Sequence, residues 1–206
     1  MDITAEEVIQ RSKIHTSRVK NIYAFGSRVY FNDNKRLLNR NSDWDFTMIA
    51  NNSVPNQEIR SGDFNIHVLT PDEFNKLLIA HHPNKIECYF APEEFRLMET
   101  IKLDFNLNIP SLRHSFSHVS SNSWVKCNKK LQEGDYYTGV KSLFHSLRIP
   151  MFGIQIAKTG KIYDFGCANK IWEIISSKRW EWKELDSEFR PLKNQILSDF
   201  RSVTTK

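Results

Sequence analysis

Cysteine is scarce in this chain of 206 residues, and the three that occur (Cys88, Cys127, Cys167) are widely dispersed. With no Cys-x-x-Cys pair, neither a zinc ribbon nor a disulfide framework organises the chain, and a reducing compartment is implied. Glycine and proline number seven each, and no repeat or low-complexity tract is present. No apolar run approaches the ~20 residues needed to span a bilayer. The opening residues Met1-Asp2-Ile3-Thr4-Ala5-Glu6-Glu7 are acidic and lack the apolar core of a secretory signal. These absences predict a soluble, cytoplasmic protein with no membrane partner.

What is present is an ordinary globular composition, 40% hydrophobic and 26% charged, with a net charge of +5 and a pI near 9.1. The charge is unevenly placed. Residues 1–100 carry 12 Lys and Arg against 14 Asp and Glu, whereas residues 101–206 carry 17 against 10. A near-neutral first half joined to a basic second half suits a polyanion such as RNA or DNA lying across the C-terminal part.

The hydrophobic pattern changes period along the chain. Thr4-Ala5-Glu6-Glu7 matches a capping box and predicts a helix to about Ser17. Asn21–Phe25 reads as a buried strand ending at Gly26, and Ser27–Phe31 as a short helix start. The stretch Asn32–Arg40 is a polar connection. Strands are predicted at Asp45–Ala50 and Phe64–Leu69, with a turn or loop over Asn51–Asn56, and a further short strand at Ile86–Phe90. Thr70-Pro71-Asp72-Glu73 starts a helix, with threonine as N-cap and proline at the first helical position. Ala91-Pro92-Glu93-Glu94 opens another short one. From Ser111 onward the period is helical, with candidates at Leu112–Leu131, Asp135–Gly153, Cys167–Ser177 and Trp182–Phe200. Pro150 and Pro191 are expected to kink or break two of them. The fold class is therefore α/β (α+β): a small mixed sheet with flanking helices at 1–108, then a basic helical domain at 109–206.

Two short motifs carry the chemistry. Phe25-Gly26-Ser27-Arg28 ends the first strand, and Ser42-Asp43-Trp44-Asp45 opens the second. Residues i and i+2 of a strand share a face, so Asp43 and Asp45 set two like charges side by side. A divalent cation between them relieves the repulsion. Glycine lets a phosphate approach the backbone, and the Ser27 hydroxyl can donate to it. Phosphate recognition beside a carboxylate-held metal makes a phosphoryl or nucleotidyl transfer site.

Gly26-Ser27 followed by Asp43-x-Asp45 resembles the polymerase-beta-type nucleotidyltransferase superfamily, over roughly residues 20–70. The resemblance implies that Asp43 and Asp45 bind two Mg²⁺ ions, with Mn²⁺ as an alternative, and that Gly26, Ser27 and Arg28 grip the phosphates of an NTP substrate. It also implies a third carboxylate from an adjacent strand. Alternation in Asp63-Phe64-Asn65-Ile66-His67 places Asp63, Asn65 and His67 on one face, and Asp63 is the expected third catalytic and metal-binding carboxylate. The expected activity is transfer of an NMP unit to a hydroxyl with pyrophosphate as product; the basic C-terminal half favours RNA as acceptor, with a protein side-chain hydroxyl as the alternative. Two departures stand out: Phe31 occupies the place of a usual second glycine, and Asn32–Arg40, with Arg36 and Arg40, lengthens the connection. They motivate a competing reading, a module that keeps the fold and binds nucleotide, RNA or a partner protein without turnover.

In the basic half, Lys141, His145 and Arg148 fall on one helical face and could cover the triphosphate or an RNA backbone. Lys126, Lys129 and Lys130 cluster near Trp124. His114 and His118, spaced i and i+4, have no third ligand at fixed spacing and read as surface histidines. Trp172, Trp180 and Trp182 read as core or interface anchors.

Overall fold

The computed structural model describes residues 3–39 and 42–205. They form two compact units, Met1–Asn106 and Leu107–Lys206.

The first unit is a five-stranded mixed sheet with helices on both faces. Its strands are β1 (Val19–Phe25), β2 (Trp44–Ala50), β3 (Gln57–Ser61), β4 (Phe64–Leu69) and β5 (Arg96–Glu99), in the order β3-β4-β2-β1-β5. All neighbours are antiparallel except β2 and β4. The helices are α1 (Ala5–Ser12), α2 (Ser27–Tyr30), α3 (Pro71–Ile79) and α4 (Pro83–Tyr89). Thr4 caps α1 by accepting from the Glu7 N–H, and Thr70 does the same for α3 through Glu73. Helix α1 is shorter than expected because Lys13 turns into the left-handed region at φ 58°.

The interior strand β1, between β2 and β5, is buried almost throughout, as its apolar run predicts. On one face Phe46, Met48, Ile66 and Val68 are fully buried, and Arg11 of α1 covers Phe64 at 4.8 Å. On the other, Phe74 of α3 stacks on Tyr23, and Lys85 of α4 reaches Thr47. This second face also carries Asp45, Asn65 and His67.

Three elements differ from the sequence-based expectation. Ile86–Phe90 is not a strand: it lies within and just beyond α4, because Pro83 sits in the first helical turn. Strand β3 went unpredicted because Gln57-Glu58-Ile59-Arg60-Ser61 is a polar edge strand without the apolar alternation of a half-buried one. Strand β5 is likewise a short edge. Arg40, expected within the connection before β2, lies outside the described residues.

The second unit contains α5 (Ile109–Gln132), α6 (Tyr136–Thr159), α7 (Asn169–Ser176) and α8 (Trp182–Val203). Helices α5 and α6 form a hairpin, and α7 and α8 pack on α6. Its core includes Phe116, Phe144, Phe152 and Phe200. Gly153 admits the Phe200 ring, since a Cβ there would lie 2.5 Å from it. Trp172 and Trp180 are buried, and Trp124 meets Trp182 edge-on.

Neither proline ends its helix: α6 runs through Pro150 and α8 through Pro191. Pro150 has no N–H for the Ser146 carbonyl four residues back. The buried Ser120 hydroxyl of α5 donates to that carbonyl instead, at 2.6 Å, so a bond between helices replaces the missing one within α6.

Among the described residues, no helix is long and apolar enough to cross a membrane.

Candidate functional site

The site is built where β1 ends and β2 begins. Phe25 pairs with Asp45 across the two strands, so the chain leaving β1 turns directly over that carboxylate. Gly26 makes the turn at φ 81° and ψ −152°, a region essentially closed to residues with a Cβ. A Cβ at this position would lie 2.9 Å from Asp45 Oδ2. Gly26 is therefore required twice, by its backbone conformation and by the carboxylate pressed against it.

Ser27 follows and is 3% exposed, yet among the described residues its hydroxyl has no hydrogen-bond partner. The Ser42 hydroxyl, 8% exposed, has none either. Buried hydroxyls are ordinarily satisfied, so two such groups where β1 ends and β2 begins fit a site that is completed by a polar ligand. Arg28 links the two segments: Nη2 donates to the Ser42 carbonyl at 2.6 Å and the guanidinium lies 4.8 Å from the Trp44 ring centre. Beside it is a pocket of about 190 Å³, lined by Phe31, Lys35, Leu38, Trp44 and Phe95 as well as Arg28.

Asp43 is exposed and lies just ahead of β2, whereas Asp45 is half-buried within it. The parallel register places Asn65 of β4 directly opposite Asp45, and Asn65 Nδ2 donates to Asp45 Oδ1 at 3.1 Å. The same amide lies 3.2 Å from His67 Nε2. The His67 ring packs against Phe25, and burial, followed by the Lys85 charge, holds its pKa below the ordinary value. Lys85, 6% exposed, donates from Nζ to Thr47 Oγ1 at 2.9 Å, and burial lowers its pKa too.

Asp63 was expected at the very start of a strand, on a face shared with Asn65 and His67. It occupies the two-residue turn Gly62-Asp63 between β3 and β4, with an exposed side chain. Its backbone carbonyl accepts from the Trp44 N–H at 2.7 Å, which ties the turn to β2 without bringing its carboxylate into the strand. The position opposite Asp45 belongs to Asn65. Among the described residues no group of three or more His, Cys, Asp and Glu side chains is disposed to hold a metal ion.

Lys141 and Arg148 belong to α6 of the second unit. The Lys141 ammonium lies 5.8 Å from the Tyr137 ring. Arg148 is not on a solvated face: it is 3% exposed, lies over Phe152 and contacts His145 Nδ1 at 3.2 Å. Burial and the Arg148 charge hold the His145 pKa well below its ordinary value.

The residues that the sequence reading missed are Asn65, in its role opposite Asp45, and Lys85. Alternation along β4 marked Asn65 as sharing the face. Nothing in the sequence marked Lys85, because its approach to Thr47 depends on how α4 packs.

No family model and no curated protein sequence matches this chain. Among solved structures it is similar to a nucleotidyltransferase-like protein from Exiguobacterium sibiricum. The two are 11% identical, the match covers 98% of this chain and 73% of the other, and the TM-score is 0.33. That similarity is weak. The chain itself is a mixed α/β protein: a five-stranded mixed sheet with flanking helices, followed by a helical region.

Proposed function

We propose that this protein is a metal-dependent nucleotidyltransferase that moves an NMP unit from an NTP to a hydroxyl acceptor, RNA, with release of pyrophosphate. The observation that carries the reading is the closeness of Gly26 to Asp45, which sets the Gly-Ser turn against a carboxylate with the unpartnered Ser27 hydroxyl alongside.

In this reading Asp43 and Asp45 hold Mg²⁺ or Mn²⁺, and Ser27 donates to a phosphate oxygen. The bound ion would offset the negative charge of the triphosphate and favour departure of pyrophosphate. Gly26 keeps the turn low enough for close approach of the phosphates. Arg28 fixes the Ser42 segment and so the strand entry that carries both carboxylates. Asn65 orients Asp45 through its amide.

A second reading is favoured by Asn65 itself. An amide opposite Asp45 cannot accept a proton or supply a third negative charge, so the site would bind nucleotide without turnover. The test is incubation with each labelled NTP, Mg²⁺ or Mn²⁺ and total RNA, beside an Asp43→Asn/Asp45→Asn double variant. Label transfer by the native chain alone is expected. Equal labelling by both chains overturns the assignment, and nucleotide binding without transfer to any acceptor selects the binding module.

A further inference from the structure

The second unit contains a groove, of about 500 Å³, between α5 and α8. It is lined by Arg113, His114, Ser117, His118 and Ser121 on α5 and by Leu197 and Arg201 on α8. The α5 residues recur every three or four positions and so form one helical face. The lining is two guanidiniums, two imidazoles, two hydroxyls and one leucine, with no carboxylate.

The arginines of this unit differ in how they are used. Arg190 is paired with Asp186, Arg179 lies over Tyr136, and Arg148 is buried against His145 and Phe152. Among the described residues, the Arg113 guanidinium has no hydrogen-bond or ion-pair partner. Arg201 uses only Nε, which donates to the Leu197 carbonyl within its own helix at 3.2 Å. The two uncommitted guanidiniums thus come from different helices and line the same depression. Guanidinium forks are matched by phosphate oxygens, and hydroxyls add neutral donors beside them. The His114 and His118 rings lie nearly parallel, at 15° with centres 6.2 Å apart, and offer flat faces of the kind on which unpaired bases stack.

The lysine cluster near Trp124 (Lys126, Lys129 and Lys130) is a second basic surface, and it is less suited to bases. Trp124 is only 6% exposed, and its ring meets Trp182 and the Lys193 ammonium. Its flat face is already occupied by the protein.

We propose that the α5–α8 groove is a phosphodiester-binding site for single-stranded RNA, with Arg113 and Arg201 contacting the backbone and the two histidines contacting bases. The proposal rests on the reading of RNA as acceptor, and it assigns that acceptor a place on the second unit.

The test is binding of a short labelled single-stranded RNA to the full chain over a range of salt, without nucleotide. The variants are Arg113→Glu/Arg201→Glu and the milder Arg113→Ala/Arg201→Ala. The control is Lys126→Glu/Lys183→Glu, which makes the same charge change elsewhere on the same two helices. All are compared at native circular dichroism. The groove variants should weaken binding by about tenfold or more. Removing two phosphate contacts should reduce the slope of log affinity against log salt by about 1.4, from roughly 0.7 per contact on a single strand. The control should bind nearly as the native chain does. Unchanged affinity in the groove variants overturns the proposal, as does an equal loss in the control. Binding of phosphatidylserine vesicles through these residues, with none of RNA, overturns it also. Because no NTP is present, a failure of NMP transfer leaves this result intact, and a failure here leaves nucleotide binding at Asp43 and Asp45 intact.

Discussion

Asn65 Nδ2 donates to Asp45 Oδ1 at 3.1 Å, across the single parallel pair of strands in the sheet. The bond places an amide where a like-charged neighbour would otherwise demand a cation.

Replacing that amide by a carboxylate tests the arrangement. Asn65→Asp opposes two carboxylates directly and should destabilise the first unit by about 1 kcal/mol in chelator. For a domain of this size that corresponds to roughly 4–8 °C in Tm. Mg²⁺ should restore most of the loss, because a bound ion converts the repulsion into coordination. Thermal melts of both chains in chelator and in Mg²⁺ measure this. A variant that melts like the native chain in both solutions would show that residue 65 does not face Asp45.

Gly26→Ala should be costly despite adding one methyl group. Its φ of 81° with ψ of −152° is strained for alanine, and the added Cβ would meet Asp45 Oδ2 at 2.9 Å. Backbone strain of this kind costs about 1–3 kcal/mol. Urea denaturation should show at least that loss, and nucleotide binding should fall with it. A neutral result would mean that the turn relaxes away from Asp45.

The Ser120–Ser146 bond predicts a dependence on Pro150. Ser120→Ala leaves a buried carbonyl unpaired and should cost about 1–3 kcal/mol. In a Pro150→Ala background the new N–H can donate to the Ser146 carbonyl, so the same Ser120→Ala change should cost much less. A double-mutant cycle reads this directly. Additive effects would refute the compensation.

Stability should fall as pH drops below about 6.5. His67, His81, His82 and His145 all have folded pKa values below the ordinary one, with burial the leading cause. Between the folded and unfolded pKa values the unfolded chain binds protons that the folded chain does not. Stability therefore rises with pH in this window and is lost as pH falls through it. Urea midpoints across the window should show the decline, and His145→Gln should reduce it. A flat profile would contradict the burial of these rings.

Much of the fold could be read from local pattern. Thr4 and Thr70 announced helices through their caps, and alternation along Phe64–Leu69 announced β4 and its polar face. Edge strands β3 and β5 were less legible because an edge strand needs no buried apolar row. Ile86–Phe90 misled because a short, mostly apolar run with one glutamate suits a strand or a helix equally until Pro83 is weighed. Pro150 does not break its helix, because the carbonyl it leaves unpaired is satisfied by the Ser120 hydroxyl of α5.

The sequence by itself determined the Gly26-Ser27 turn and the Asp43–Asp45 spacing, because both follow from residue type and from the two-residue period of a strand. It determined the basic character of residues 101–206 as well. Only the tertiary structure decided which β4 residue faces Asp45. That choice depends on where the β3–β4 turn falls, and the turn takes Asp63 for itself and leaves the strand position to Asn65. The structure likewise buried Arg148 and left Arg113 and Arg201 uncommitted. Helical periodicity shows which residues share a face, but packing selects the face that is covered.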